Sequence, residues 1–344
     1  MSLDQLIEKS KSMGYGEIHV CLKPEVGLQA FVVIHSTQRG PALGGCRFIE
    51  YASSVDAVVD ALRLGQGMSY KAAMAGLHYG GGKAVLMRPT ALPDRAALFH
   101  AFGRFVNDLG GRYITAIDSG SELADMDVVA QETNYVAGTS RNNADPSPHT
   151  VQGVCRALQA AVKFQLGKET VKNLHVAVQG LGHVGQGVAA WLHAEGARLT
   201  IADVNAARAQ DCAKAFDAQV VSPDEILQVA CDVVSPCALG NVLNKKTIPL
   251  LEAPVVVGGA NNQLGEPGDA EYMRTRGILY APDFVANAGG LIFAVNVYEN
   301  APLEKADEKI NQIYDTMLSV FAEAKASQCS TEVIAEKIAK ERLQ

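Results

Sequence analysis

Long apolar runs are missing from this sequence. No stretch of about 18 apolar residues occurs, and the opening MSLDQLIEKSKSMG has no apolar core of the kind a secretory leader carries. A cytoplasmic protein with no membrane partner is therefore expected. The seven cysteines, at positions 21, 46, 155, 212, 231, 237 and 329, are odd in number and never spaced C-x-x-C. That spacing argues against a zinc ribbon or a disulfide framework and for reduced thiols. No compact set of His, Cys and carboxylates suggests a metal site either. Positive charge is also in deficit: 30 Lys+Arg stand against 37 Asp+Glu, a net charge of −7. Such a balance opposes binding to polyanions, so nucleic acid and anionic membranes are poor partners.

What is present describes a packed α/β protein. The hydrophobic fraction is 48% and the charged fraction 19%, and 344 residues exceed what one ordinary core accommodates. Up to about residue 140, apolar runs such as IHVCL, LQAFVVIH, AVLM and YITA read as strands. SVDAVVDALRLGQGM and DRAALFHAFGRFVNDLGG carry apolar residues three and four apart and read as helices. TSRNNADPSPH, residues 139–149, is rich in turn formers and reads as a linker. Two domains follow: residues 1–140 and residues 141–327, with a C-terminal helix over about 328–344 returning to the first. In the second, strands alternate with helical segments, which implies a doubly wound parallel sheet covered on both faces.

Within that second half, NLHVAVQGLGHVGQGVAAWLHAEGARLTIADV reads as strand, glycine turn, helix and strand. Its turn is Gly180-Leu181-Gly182-His183-Val184-Gly185, a G-x-G-x-x-G in the order that a dinucleotide-binding unit requires. The first glycine permits the tight turn, the second admits a pyrophosphate, and the third lets helix and strand pack. The phosphates then meet the free N–H groups and positive end of the helix. Asp203 closes the next strand, placed to accept hydrogen bonds from an adenosine ribose and to repel a 2′-phosphate. The expected cofactor is NAD rather than NADP, although Arg208 softens the distinction.

A second feature lies in the first half. YKAAMAGLHYGGGKAV sets Lys71 and Lys83 on either side of Gly80-Gly81-Gly82. A phosphate-binding G-x-x-x-x-G-K-[ST] loop is excluded, because Leu77 replaces the first glycine and Ala84 the hydroxyl residue. A lysine flanked by glycines can be approached closely by a ligand. Burial disfavours the charged form of such a lysine and yields a base able to work near neutral pH. An ordinary solvated role is the competing reading. Asp118, at the end of YITAID, sits where catalytic carboxylates often project, though Asx turns and helix caps use the same position.

Seven motifs in order, GPALGGCR, MSYKAAMAGLHYGGGKAV, YITAIDSGSELADMD, VQGLGHVG, SPCALG, GGANNQL and ILYAPDFVANAGG, cover nearly the whole chain. On them the sequence resembles the NAD-dependent amino acid dehydrogenases of the leucine, phenylalanine and valine type, relatives of glutamate dehydrogenase. The resemblance implies an N-terminal substrate and oligomerisation domain, a C-terminal Rossmann-type domain, and an active site in the cleft between them. It implies that Lys71 pairs with the substrate α-carboxylate, that Lys83 is the catalytic lysine that activates water, and that Asp118 exchanges protons with the amino group. Thr150, Ala238 and Asn262 fall at cofactor-contacting positions, Asn262 also near the substrate amino group.

The implied reaction is reversible oxidative deamination of an L-amino acid to a 2-oxo acid, ammonia and NADH. Leu43, beside Gly44, replaces the lysine with which glutamate-specific relatives grip a side-chain carboxylate. With Ala116, Leu291 and Ala294 it implies an apolar substrate pocket. A branched-chain amino acid such as leucine or valine is the leading expectation, with phenylalanine or tryptophan as the alternative and a non-catalytic NAD sensor as a third reading. Three positions depart from the family pattern: Ile117 replaces an acid beside Asp118, Phe293 replaces an asparagine of the leucine type, and His149 replaces a small residue. Relatives form homo-oligomers, and the leucine-type octamers use a C-terminal extension. With the chain ending at Gln344, a dimer is expected and an octamer is the alternative.

Overall fold

A computed structural model of the chain describes residues 2–91, 94–140 and 145–344. Residues 141–144, in the middle of the expected linker, lie outside the described residues. The chain divides into two compact units, one comprising Met1–Asp145, Ala294–Pro302 and Ala339–Gln344, the other Pro146–Phe293 and Leu303–Ile338. Residues 294–302 thus belong with the first unit, whereas the sequence expectation groups them with 141–327. The change of unit falls inside a continuous helix, Gly289–Tyr298, where no linker composition marks it.

The first unit runs α1 (Leu3–Ser12), β1 (Glu17–Lys23), β2 (Leu28–Ser36), β3 (Ala42–Ile49), α2 (Ser54–Met74), β4 (Gly80–Met87), α3 (Arg95–Asp108), β5 (Tyr113–Ile117), α4 (Leu123–Val129) and β6 (Val136–Ala137). Its sheet has the order β1-β2-β4-β3-β5-β6, antiparallel at β1/β2 and β2/β4 and parallel from β4 onwards. Strand alternation sorts the side chains. Ala30, Val32 and Ile34 of β2, Ala84 and Leu86 of β4, and Cys46 and Phe48 of β3 enter one core with Phe99 and Phe102 of α3. Phe31 and Val33 of β2 and Val85 of β4 enter the other, with Ala57, Val58, Ala61 and Leu62 of α2. Each fully buried leucine or phenylalanine contributes about 1.5–3 kcal/mol. Helix α2 begins where the Ser53 side chain accepts from the Asp56 N–H, a cap worth about 1 kcal/mol.

The second unit carries α5 (Ser147–Ala161), which ends in a π-helical turn over Val162–Leu166, then β7 (His175–Gln179), α6 (His183–Ala194), β8 (Arg198–Ala202), α7 (Ala206–Phe216), β9 (Gln219–Val220), β10 (Val233–Pro236) and β11 (Val255–Val256). It continues with α8 (Asp269–Thr275), β12 (Leu279–Tyr280), α9 (Asp283–Ala286), α10 (Gly289–Tyr298), α11 (Leu303–Asn311), α12 (Ile313–Ser327) and α13 (Thr331–Arg342); the last residues of α10 and of α13 belong to the first unit. The sheet is wholly parallel, in the order β12-β11-β10-β7-β8-β9. β7 is flanked by β8 on one side and β10 on the other, so the strand order reverses at its carboxyl end. In open α/β sheets that reversal is where ligands bind. This is the doubly wound sheet implied by the sequence. No helix among the described residues is long and apolar enough to cross a membrane.

One close crossing organises the first unit. A Cβ added at Gly81 of β4 would lie 2.0 Å from the Ser69 backbone nitrogen of α2, and one at Gly80 would lie 1.7 Å from the Ser36 carbonyl oxygen. Gly67, on the same helix, has nothing within 4 Å of such a Cβ. Gly81, which meets the helix, and Gly67, which meets nothing, therefore predict opposite signs. Gly81→Ala is expected to lower the denaturant midpoint, at a loss of about 1–3 kcal/mol or more of stability. Gly67→Ala is expected to raise stability by up to about 1 kcal/mol through helix propensity, and equal midpoints for the two variants would refute the crossing.

Candidate active site

The crossing of α2 over β4 also places the two lysines. Lys71 lies two residues beyond Ser69, half-buried in the last turn of α2, and Lys83 lies two residues beyond Gly81. The glycines do not serve the purpose expected from sequence. Gly80, Gly81 and Gly82 are buried, and the space a side chain would take is filled by the protein backbone of Ser36, Ser69 and Val33. They let strands and helix approach each other, rather than leaving room for a ligand.

Strand alternation brings the remaining first-unit residues to the face that α2 covers. Ala42, Cys46 and Phe48 of β3 point to the opposite core, so Leu43, Gly45 and Arg47 point to this one, as do Gly81 and Lys83 of β4. β5 brings Ala116 level with Gly45. Asp118 follows directly, turned by Ser121, whose hydroxyl accepts from the Asp118 N–H at 3.0 Å and donates to the Cys46 carbonyl at 2.7 Å. Gly120 is needed in this turn, with φ of +81° and the Phe48 carbonyl oxygen 1.9 Å from where its Cβ would be.

Lys83 is buried at 5% exposure and donates from Nζ to Asp118 Oδ2 at 2.7 Å. The same oxygen accepts from Arg47 Nε at 3.1 Å. Burial works against the charge on Asp118, but the Lys83 ammonium and the Arg47 guanidinium outweigh it and hold the carboxyl well below the usual carboxylate range. Asp118 is thus neither an Asx-turn residue nor a helix cap. The cap of α4 is made by Glu122 and Asp125 instead. Gly45 packs against the pair, for its Cβ would stand 2.7 Å from Asp118 Cβ and 3.2 Å from Lys83 Nζ. Gly44 is held by Tyr113, whose hydroxyl donates to its carbonyl at 2.7 Å. Leu43, at 2% exposure, is buried and apolar.

Sequence reading missed Arg47 and its second partner, Asp60 of α2, whose Oδ2 accepts from Arg47 Nη1 at 2.9 Å and from the Tyr51 hydroxyl at 2.6 Å. The available signal was an arginine inside the apolar strand ALGGCRFI. A charge there needs a partner.

In the second unit the glycine turn follows β7 and leads into α6 at His183. Gly180 has φ of +86°, and its Cβ would meet Ala238 at 2.7 Å, which explains the small residue at that position in SPCALG. A Cβ at Gly185 would lie 1.9 Å from the Gly180 carbonyl, so the third glycine brings helix against turn. Gly182 has nothing within 4 Å of its Cβ position, and it is exposed at the helix N-terminus beside His183, with Val184 half-buried behind them. An open backbone there, with free N–H groups, fits the pyrophosphate of a dinucleotide. Asp203 accepts from the Leu181 N–H at 2.7 Å and, through its other oxygen, from the Asn205 N–H at 2.7 Å. The carboxylate therefore stiffens the turn itself, and Arg208 Nη1 lies 3.6 Å away.

Thr150 sits in the first turn of α5, its hydroxyl donating to the Pro146 carbonyl at 3.0 Å. Gly289 and Gly290 of α10 pack against it: their Cβ positions would be 1.9 Å from the His149 carbonyl and 2.5 Å from Thr150 Oγ1. Two of the departures from the family pattern meet here, because the His149 and Phe293 rings stack with centroids 3.9 Å apart and planes 9° apart. Asn262 is exposed, with φ of +53° in a turn whose carbonyl accepts from the Asn241 N–H. Leu291 is buried in the second unit, and Ala294 is half-buried in the part of α10 that belongs to the first.

Comparison with known proteins agrees with this architecture. Residues 16–135 match the family model described as Glu/Leu/Phe/Val dehydrogenase, dimerisation domain, and residues 200–342 match Glutamate/Leucine/Phenylalanine/Valine dehydrogenase. The chain is 43% identical over 343 residues to leucine dehydrogenase of Geobacillus stearothermophilus, covering 99% of this chain and 94% of that one. It is 40% identical over 341 residues to L-tryptophan dehydrogenase of Nostoc punctiforme, covering 98% and 96%. The crystal structure of L-tryptophan dehydrogenase from Nostoc punctiforme superposes with a TM-score of 0.86 over 98% of both chains. The chain belongs to the glutamate/leucine/phenylalanine/valine dehydrogenase family and is an NAD-dependent amino acid dehydrogenase.

Proposed function

We propose that the enzyme deaminates an apolar L-amino acid, with a branched-chain substrate such as leucine or valine preferred. One observation carries the reading: a buried Lys83–Asp118 pair at 2.7 Å on the sheet face that also carries the apolar Leu43, with the neighbouring Arg47 already taken by Asp118 and Asp60. In the overall reaction an L-amino acid, NAD⁺ and water give a 2-oxo acid, ammonium, NADH and a proton. Bound NAD⁺ supplies the hydride acceptor. Lys71 pairs with the substrate α-carboxylate. Lys83 passes an Nζ proton to Asp118 across their 2.7 Å hydrogen bond and, as the free amine, takes a proton from the water that adds to the substrate iminium carbon. Asp118 also exchanges protons with the amino group. Leu43 and Ala116 leave a side-chain carboxylate without a partner, which disfavours glutamate.

The second unit holds the cofactor in this reading, through the turn at 180–185, the α6 N-terminus, Ala238, Thr150 and Asn262. A large aromatic substrate, phenylalanine or tryptophan, is the second reading. It is favoured by the likeness to L-tryptophan dehydrogenase. Assembly as a homo-oligomer is supported by the dimerisation-domain match; a dimer in preference to an octamer is our reading of the assembly's size, and light scattering decides it. A cytoplasmic location completes the proposal.

NADH formation with leucine, valine, isoleucine, phenylalanine and tryptophan decides the substrate. Higher kcat/KM for the branched-chain set is expected, and higher values for tryptophan would reverse the preference. A methylene changes such ratios by only about 1–3 kcal/mol, so the order within the branched-chain set must be measured. Lys83→Ala should lower kcat by about 10²-fold or more while NAD still binds. Unchanged turnover would remove Lys83 from the chemistry. Gly182→Ala, where the protein offers no clash, should leave the melting temperature of the free enzyme in place and weaken NAD at least about tenfold. Gly185→Ala should instead lower the melting temperature, and the same response from both would refute the cofactor assignment of Gly182.

A further inference from the structure

We propose that Arg47 is a positioning residue for the deamination, its guanidinium bridging Asp118 and Asp60 so that the Asp118 carboxylate is held in one orientation toward the reacting amino group. This rests on the proton-exchange role given to Asp118 above. The bridge is built from three elements: Arg47 of β3 donates from Nε to Asp118 Oδ2 at 3.1 Å and from Nη1 to Asp60 Oδ2 at 2.9 Å. Tyr51 anchors the far end by donating to the same Asp60 oxygen at 2.6 Å. All three charged side chains are largely buried, at 19%, 19% and 26% exposure for Arg47, Asp118 and Asp60. At that depth an unpaired charge is costly, so each keeps its place because the others do.

The fork of a guanidinium is what allows two carboxylates to be held at once; an ammonium is a point charge. Burial disfavours the charge on Arg47, but Asp118 and Asp60 outweigh it and keep the guanidinium protonated. Asp60 stands on α2, the helix that also carries Lys71. One helix therefore sets both the proposed carboxylate-binding lysine and, through Arg47, the proton-exchanging carboxylate.

The other titratable groups around Asp118 are Lys83 of β4, Cys46 of β3 and Tyr113 of β5. Burial pushes the Cys46 thiol and the Tyr113 hydroxyl well up, so both stay neutral across the working range. The acid limb of the rate profile then reports loss of the proton shared by the Lys83–Asp118 pair, whose deprotonated form is the working one. Arg47 favours that form, so removing its charge moves the limb to higher pH.

The test compares Arg47→Gln, Arg47→Lys, Asp60→Asn and Asp118→Asn in the full-length enzyme, measuring melting temperature and separate kcat and KM for the amino acid across pH. Arg47→Gln should raise the acid-limb pKa of kcat/KM by about one unit. It should lower kcat by about tenfold, with the amino acid KM, set by Lys71, little changed. Arg47→Lys keeps the charge but loses the bridge, so kcat should fall several-fold with the limb in place. Asp60→Asn should lower kcat without raising the limb. A folded Arg47→Gln enzyme with an unmoved limb overturns the proposal. If Arg47→Gln does not fold, Arg47→Lys decides: full kcat overturns the bridge, and reduced kcat with the limb in place supports it. Asp118→Asn separates the two ideas, because retained turnover there removes the role of Asp118 itself, whereas lost turnover leaves the Arg47 result to stand alone.

Discussion

The crossing of α2 over β4 is the constraint on which the first unit depends. Backbone meets backbone at Ser69 and Gly81, a distance that no side chain on the strand would permit. Once that contact is made, alternation along β4 and the turn of α2 leave little freedom. Lys83 is buried on the covered face, and Lys71 follows in the final helical turn. The glycines serve the chemistry indirectly, by letting the scaffold close around the lysines.

The charges that result are then settled among themselves. Lys83, Asp118, Arg47 and Asp60 form a chain of ion pairs in which each buried charge has an opposite neighbour. Such a chain contributes little net stability, since desolvation offsets most of the Coulombic attraction. Its value lies in orientation. Asp118 holds its carboxylate against two cations rather than spending it on the local turn, and Ser121 takes over the turn-making hydrogen bonds that the aspartate would otherwise supply. The side chain is thereby given chiefly to cations on the neighbouring strands, with the adjacent Ser119 N–H also donating to it.

In the second unit the same economy appears in a different form. Each glycine of the turn has its own reason: a positive φ at Gly180, open space at Gly182 and helix contact at Gly185. Asp203 braces the turn through the Leu181 N–H. His149 and Phe293, unrelated as departures from the family pattern, become one feature when their rings stack. A substitution at either position is therefore a substitution at both.

Much was legible from local pattern. The G-x-G-x-x-G turn, the parallel sheet and the ends of its strands follow from spacing over a few dozen residues, because a turn and the helix after it are local objects. Leu43 in place of a lysine is legible too, but only through the resemblance to the family, which supplies the lysine for comparison. Arg47 was not, for Asp118 is 71 residues away along the chain and Asp60 lies on a helix between them. The purpose of Gly80-Gly81-Gly82 was misread for a similar reason: flexibility and close packing ask for the same residue, and only the packed neighbour tells them apart. The sequence by itself determined which chemical groups this protein carries and the local shapes that present them. The tertiary structure alone decided which charges face one another, because strand register and helix crossing, not proximity along the chain, bring Lys83, Asp118, Arg47 and Asp60 within hydrogen-bonding reach.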